Sequence, residues 1–492
     1  MATSVKKTLV RGVVWNTIEK IVVKGAAFVI GIILARILSP SDYGLIGMLT
    51  IFITLSNVFI ESGFAKALIQ NQECKEIDFS TAFVTNVTIS LLIYAILYIS
   101  APYIALFYDE PSLTLITRVL SINFVLGALN IVHRAKLMAK VDFKSLAIIN
   151  FWGTIIGGAI GIFFAHRGYG VWALVFQTIA STASMMFMFP FFSKWTPSVN
   201  FASDSFKKLF NFGSKLLVTG VVATIVNNLT TILIGRYYKS SALGYYTRAT
   251  QYSDLAATTI NDVFNTVTFP VLSSLQNDKE NLVRIYRRIL FYTALITFPL
   301  LILLVLLAEP VVVIMLTDKW LPCVPLLQIL CIARMFTPIS SINMNILNAV
   351  GRSDLFMKID LSKIPFILLA TIVAIPFGVE AMAWSNLITT FLCFFVNAYY
   401  PGKLFHYGAI SQLNDWKYII ISVMVMVGCV YSVRCLINNS WLQIIISLLL
   451  GLISYLACCV VFKQIDLMEI KSLIDRRYDN QRCKTDRTSE VH

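Results

Sequence analysis

Apolar runs long enough to cross a membrane recur along nearly the whole chain. They are bounded by charge, Pro or Gly clusters and fall at about 13–36, 44–65, 80–100, 113–132, 145–165 and 169–191. After a polar connection from Ser193 to Lys208 six more follow, at about 209–235, 244–272, 286–308, 321–349, 358–377 and 380–400. A last pair, about 417–437 and 440–462, comes after the loop holding Pro401, Gly402 and Lys403. A bilayer core takes about 20 helical residues to cross. Backbone polar groups in lipid must be satisfied within the segment, and these runs are too long and too uniformly apolar for barrel strands. The expectation is therefore an all-α polytopic membrane protein of about 14 transmembrane helices, arranged as 6 + 6 + 2. Composition agrees: 57% of residues are hydrophobic and only 13% charged, where a soluble domain carries roughly 25% charge. Little of the 492 residues is left for a soluble domain. The expected domains are 1–200 (helices 1–6), 201–402 (helices 7–12), 403–465 (helices 13–14) and a tail, 466–492, with an amphipathic start.

Orientation follows from the loops. Every second one is basic, as in Lys66 and Lys75, Arg134 to Lys144, Lys279 to Arg288, and Lys403 with Lys417; an alternate one, Tyr108 to Pro111, is acidic. The positive-inside rule then puts both termini in the cytoplasm. This topological signal absorbs much of the net charge of +14, and nucleic acid is not needed as a partner. The basic, apolar N-terminus has the look of a secretory signal, but Glu19, Lys20 and Lys24 interrupt it and it reads as a retained first span. The nine cysteines lie mostly in apolar segments without metal-ligand spacing and read as small core residues, not disulfides. The series Gly153, Gly157, Gly161 is a small-xxx-small pattern for close helix packing.

One stretch occurs twice. Arg36, Ser41 and Gly44 recur at the same spacing as Arg236, Ser241 and Gly244, each set closing one long apolar segment and opening the next. The polar residues that follow also align, Thr50, Thr54 and Glu61 against Thr250, Asp254 and Asn261, with Asn57 and Thr258 one place out of step. A duplicated membrane hairpin implies two pseudo-symmetric six-helix lobes. Arg36, Gly44, Arg236 and Gly244 are read as paired turns that serve gating and geometry.

Ionisable residues within a span cost roughly 2.5–3.5 kcal/mol each on insertion scales, so they tend to face protein or water and serve function. Lys20 and Lys24 share a face of the first span with Asn16; Arg118 lies in the fourth, Lys215 early in the seventh and Arg248 early in the eighth. Lys20, Lys24, Arg118, Lys215 and Arg248 are the candidate contacts to an anionic substrate. Asn57 and Glu61 on the second span, and Gln251, Asp254 and Asp262 on the eighth, are expected to line a wet cavity or couple an ion, with pairing to cavity cations as the other reading. Arg36, Arg236, Lys66 and Arg334 sit where they can snorkel to headgroups, and Asp360 with Lys363 reads as a local ion pair. Ser341, Asn345 and Asn348 fit either helix–helix hydrogen bonding or cavity lining.

Catalytic and metal constellations are thin. The four histidines fall in loops, at span ends or in the tail, without a plausible nucleophile, and neither a Walker loop nor a glycine-rich fingerprint occurs, so no cofactor is expected. A basic cavity without a nucleotide site points to passage of an anion.

Four further stretches carry a family resemblance: Arg36-Ile-Leu-Ser-Pro-Ser-Asp-Tyr-Gly44; Gly63-Phe-Ala-Lys-Ala-Leu-Ile-Gln70; Gly244-Tyr-Tyr-Thr-Arg-Ala249 with Phe269-Pro-Val-Leu-Ser273; and Asn348-Ala-Val-Gly-Arg-Ser-Asp354. In this order the chain resembles the polysaccharide-transporter branch of the multidrug/oligosaccharidyl-lipid/polysaccharide exporter superfamily, especially Wzx-type O-antigen flippases and the colanic-acid and teichuronic-acid exporters. That resemblance implies two six-helix lobes with an added pair, and a flippase of the bacterial inner membrane for undecaprenyl-pyrophosphate-linked sugar units, working by alternating access. It implies Arg248 as a motif residue. The implied partners are the lipid-linked oligosaccharide, membrane lipids and the polysaccharide polymerase machinery, with the transporter itself a monomer and not an enzyme. Two alternatives stay open: a drug or cation antiporter of the same superfamily, which would want an acidic cavity, and a lipid-linked sugar polymerase or ligase, which would want a sizeable periplasmic loop.

Overall fold

The computed structural model describes residues 21–61, 75–198, 200–437 and 439–464, with the side chains of all of these except 60, 61, 208–216, 218, 219, 266 and 267. The tail expected at 466–492, Lys20 and the Gly63–Gln70 motif lie outside the described residues.

Every regular element among the described residues is helical. Residues 21–37 form α1. There follow α2 (Pro40–Glu61), α3 (Glu76–Tyr108), α4 (Leu113–Leu120), α5 (Ile122–Ala139), α6 (Phe143–His166), α7 (Val171–Ser193), α8 (Ser203–Tyr237) and α9 (Ser240–Ser274). The second half holds α10 (Lys279–Leu306), α11 (Ala308–Leu316), α12 (Cys323–Arg334), α13 (Thr337–Ala349), α14 (Ser353–Ala374), α15 (Val379–Phe405), α16 (Ala409–Asp415), α17 (Lys417–Leu436) and α18 (Ser440–Val461). Eleven spans among the described residues are long and apolar enough to cross a membrane; α4 with α5 make one, broken at Ser121, and α12 with α13 make another. The expected fourteen therefore stand at eleven by this measure. Of α1 only 17 residues are described, the side chains of α8 are described only in part, and α9, at 35 residues, is long enough but too polar to count. The shortfall thus falls on the helices to which the sequence assigned most of the membrane-depth charge.

The helix starts have local causes. Ser39, Pro40 and Asp42 start α2: the Asp42 carboxylate accepts from Ser39 N at 2.9 Å, Ser39 Oγ accepts from Asp42 N at 3.3 Å, and Pro40 lacks the N–H that would be orphaned there. Asp142, Asp278 and Asn439 cap α6, α10 and α18 through side-chain oxygens. Asp278 is held below the usual carboxylate range by the hydrogen bonds it accepts from Asn281.

The chain divides into two compact units. The first holds the described residues through Arg248 with Met315–Cys323 and Leu368–Met382. Its apolar core includes Ile30, Leu34, Leu38, Ala165, Ala173 and Leu174. The glycine series of α6 faces α7: a Cβ at Gly157 would meet Ser181 and the Gln177 carbonyl, and one at Gly161 would meet Gln177. At one end of this unit Glu76 accepts from Lys136 at 2.7 Å and from the Trp195 indole at 2.9 Å.

The second unit holds Ala249–Ile314, Val324–Ile367 and the chain from Ala383. A buried polar knot ties its helices: the Tyr286 hydroxyl donates to Asn343 at 2.5 Å, and the Asn343 amide donates to Gln412 at 3.2 Å. Arg287 and Tyr407 both donate to Asp415, at 2.5 and 2.7 Å. Trp416 is fully buried between Phe298 and Phe394. The last helix is tied to α10 by Tyr455, whose hydroxyl donates to Leu295 O at 2.7 Å. The outward faces of α17 and α18 remain apolar, with Met424, Leu449 and Ile453 exposed, as lipid contact requires.

The α6–α7 packing yields a prediction. Gly157→Ala is expected to destabilise the protein by about 1–3 kcal/mol through overpacking, whereas Gly127→Ala, where an added Cβ meets nothing within 4 Å, leaves stability unchanged or slightly raised. Apparent melting temperatures of the two purified variants check this; equal values would refute the close packing.

Candidate functional site

The duplicated turns fold against one another. A Cβ added to Gly44 would collide with the Ser240 carbonyl, and a Cβ added to Gly244 would collide with the Pro40 carbonyl. Since 44 and 244, and 40 and 240, are the paired positions of the repeat, the contact is reciprocal, like the isologous contact of a twofold dimer. Only a residue without a side chain admits this approach of backbone to backbone. Ser41 Oγ and Ser240 Oγ share a hydrogen bond of 2.7 Å, and Gly47 faces Thr247 and Leu243 one turn on.

A second set of contacts holds the end of α1. Its last carbonyls have no intrahelical donor. Lys319 Nζ donates to Arg36 O and Leu38 O, both at 2.7 Å, and Trp320 Nε1 donates to Ala35 O at 2.9 Å. A cation there also complements the negative end of the helix. Burial pushes the Lys319 amine below the ordinary lysine value, against the opposing pull of Asp42. In return Arg36 Nε donates to Met315 O at 2.9 Å. Thr317, in the same segment, sits at φ 85°, a strained conformation for a β-branched residue.

Arg248 joins the two sets. It is 5% exposed, with its guanidinium carbon 3.7 Å from the Tyr43 ring centroid and 6.0 Å from that of Trp320. Tyr43 and Tyr245 each meet the Trp320 ring edge-on, at 5.6 and 5.9 Å. An anion reaching Arg248 must therefore displace an aromatic face.

The remaining candidates are spread along the helices. Lys24 is half-buried on α1. Arg118 donates to Tyr98 O at 3.3 Å and covers the Tyr98 ring at 4.5 Å, within the first unit. Arg236 is exposed over Phe107 at 5.4 Å. Asn57 is exposed on α2 and Gln251 on α9, and Asp262 is half-buried on α9. Lys215 lies on α8 and Glu61 ends α2, but neither side chain is described. In the second unit Asp254 on α9 is ion-paired with Arg334 on α12, which also reaches Asn386 at 3.5 Å. Arg334 is thus not snorkelling to headgroups; a carboxylate within reach outweighs the interface. Asn265 accepts from Ser341 at 3.1 Å and Asn345 at 2.7 Å, so those two residues bond helix to helix. Asp360 and Lys363 form the local pair expected of them, at 2.7 Å.

Lys319 and Trp320 escaped the sequence reading. Their only local signal is the charged, aromatic triplet Asp318-Lys319-Trp320 between apolar runs, and nothing in it points to a helix end more than 280 residues earlier.

Against known proteins, residues 33–325 match the family described as polysaccharide biosynthesis protein. The chain belongs to that family. Among individual proteins, the teichuronic acid biosynthesis protein TuaB of Bacillus subtilis (strain 168) is 26% identical over 357 residues, 72% of this chain and 73% of that protein. The lipopolysaccharide biosynthesis protein WzxC of Escherichia coli (strain K12) is 23% identical over 400 residues, 80% and 81% of the two chains. In fold the chain resembles the lipid II flippase MurJ in its inward closed conformation, with a TM-score of 0.73 and 17% identity over 92% of this chain and 99% of that one.

The Ser41–Ser240 contact is close enough to trap. In a background with the native cysteines replaced, Ser41→Cys with Ser240→Cys is expected to form a disulfide, since the two Oγ atoms are 2.7 Å apart. Adding Gly44→Ala should sharply reduce it. Gel mobility with and without reductant reads both, and unchanged cross-linking with alanine at 44 would rule out the close approach.

Proposed function

We propose that this family member is a flippase that carries lipid-linked oligosaccharide, with undecaprenyl pyrophosphate as the lipid carrier, across the bacterial inner membrane for surface polysaccharide synthesis. The observation that carries the reading is the placement of cations at membrane depth on α1 and α9, the helices that flank the duplicated turns, in a chain of the polysaccharide biosynthesis protein family. TuaB and WzxC bear biosynthetic names for teichuronic acid and lipopolysaccharide, and MurJ is named a lipid II flippase, so polymer class and mode of action are drawn from separate relatives.

The physical problem is charge. A pyrophosphate crossing hydrocarbon loses its hydration, and lysine and arginine in a wet cavity offset that loss; a guanidinium also forks two phosphate oxygens. Lys24 and Arg248, with Lys20, Arg118 and Lys215 as further contacts, are assigned to the headgroup. They must not bind both end states so tightly that the lipid is trapped; stabilising the path between them speeds passage. The duplicated turns act as a gate, two lobes (1–200 and 201–402) alternate access around a site near the midplane, and the pair within 403–465 is an addition to them. Basic loops place both termini in the cytoplasm. Asp254 enters as the partner of Arg334 rather than as an open ion site, which favours pairing over ion coupling for that carboxylate. The product is handed to polymerase machinery.

Arg248→Ala and Lys24→Ala are each expected to lower surface polysaccharide at least about tenfold, as expected where a charge-assisted contact is lost, while membrane levels of the protein stay normal. Deleting the gene in the native host should accumulate one lipid-linked oligosaccharide on the cytoplasmic face. Wild-type polymer in both variants would remove the cationic assignment, and efflux of cationic dyes without any effect on polymer would favour an antiporter.

A further inference from the structure

The second unit carries a polar wall that the cationic assignment leaves unused. On α9, Asp254, Thr258, Asn261 and Asn265 recur at helical spacing on one face. The wall is built, not loose. Asn265 Oδ1 accepts from Ser341 and Asn345, and Asn265 Nδ2 donates to Asn261 Oδ1 at 3.0 Å. Asp254 is fixed by Arg334, and Arg334 by Asn386.

Three observations distinguish this wall from simple helix–helix adhesive. Its hydrogen-bonding groups are not used up: among the described residues the amide of Asn261 only accepts, leaving its two N–H donors, and the amide of Asn345 only donates, leaving its carbonyl. It remains accessible, because Gln251 and Thr258 are exposed and the Asp254 side chain is 38% exposed despite its ion pair. Exposed polar atoms at membrane depth face water or a hydrated ligand, not lipid. Its cation is also already engaged, since Arg334 is ion-paired with Asp254 and offers phosphate little.

We propose that this wall, formed by Asn261, Asn265, Ser341, Asn345 and the Asp254–Arg334 pair, is a glycan subsite that takes the hydroxyls of a neutral sugar. The inference rests on the flippase reading and divides the substrate: cations for the pyrophosphate, amides and hydroxyls for the sugar. Fixed amides suit the task because a sugar hydroxyl both donates and accepts, and a site built to hydrogen-bond a hydroxyl discriminates strongly against a ligand that lacks it.

The test uses the full-length chain in lipid nanodiscs and two probes: the lipid-linked oligosaccharide extracted from a host deleted for the gene, and undecaprenyl pyrophosphate without sugar. The wild type is expected to bind the glycosylated lipid about tenfold or more tightly than the bare one, the discrimination a few hydrogen bonds supply. Asn265→Ala with Asn345→Ala should bring that ratio close to one while leaving the Kd for the bare lipid unchanged. Ser341→Ala, a smaller change that keeps the fold if the double variant does not, should lower the ratio about two- to fivefold for one lost donor. An unchanged ratio in the folded variants, or an equal loss for both lipids, overturns the glycan subsite while the flippase stands. A wild type that binds neither lipid overturns the flippase reading and the subsite with it.

Discussion

The reciprocal approach of two helix starts, Gly44 onto the Ser240 carbonyl and Gly244 onto the Pro40 carbonyl, is the contact on which the first unit depends. Its tolerance is close to nil, since any side chain at either glycine would push backbone from backbone. Because it is isologous, it also fixes geometry: if α2 and α9 meet through equivalent atoms, then α1 and α8, joined to them by the same short turn, are constrained to equivalent placements. A repeat that looked in the sequence like three matching residues is therefore a packing rule for four helices.

The two copies are stabilised by different means, and the difference is chemical. The first has a capping box from Ser39 and Asp42 and a proline at its first helical position, and its preceding helix end is clamped by Lys319 and Trp320. The second has Lys239 where the first has Ser39, so the box is absent, and its helix instead contributes Arg248, which lies against Tyr43 of the first. Symmetry of backbone is thus combined with asymmetry of charge.

Much of the architecture could be read from the chain because a bilayer leaves few choices: runs of about 20 apolar residues must be helices, and their ends follow Pro, Gly and charge. The glycine series of α6 and the Asp360–Lys363 pair were equally readable, since both depend on spacing within one helix. What escaped depends on which helices pack together. Arg334 looked like a residue at a boundary, and only the placement of α12 beside α9 reveals Asp254 within reach, 80 positions away. Lys319 and Trp320 were invisible for the same reason. The breaks at Ser121 and between α12 and α13 interrupt continuous apolar runs, so hydropathy passes over them. Conversely, α9 carries enough polar residues along its length to fall short as an apolar span, although its place in the series of runs marks it as one.

At Arg248, magnitudes decide how the side chain behaves. Buried as it is, its contact with Tyr43 is worth about 2 kcal/mol or more as a cation–π pair. A charge-assisted bond to a phosphate oxygen contributes about 1.5–3 kcal/mol, and a forked one more. An anion that forks the guanidinium therefore outcompetes the ring, whereas a single bond only matches it. Tyr43 also packs on Trp320, whose indole holds the end of α1 through Ala35. Drawing Arg248 away loosens the same aromatic group that pins the helix, one residue from the Gly44 contact. Under the proposed function, ligand capture and release of the turns would share a side chain, and a change of occupancy at Arg248 would be felt at the place where the two copies of the repeat touch.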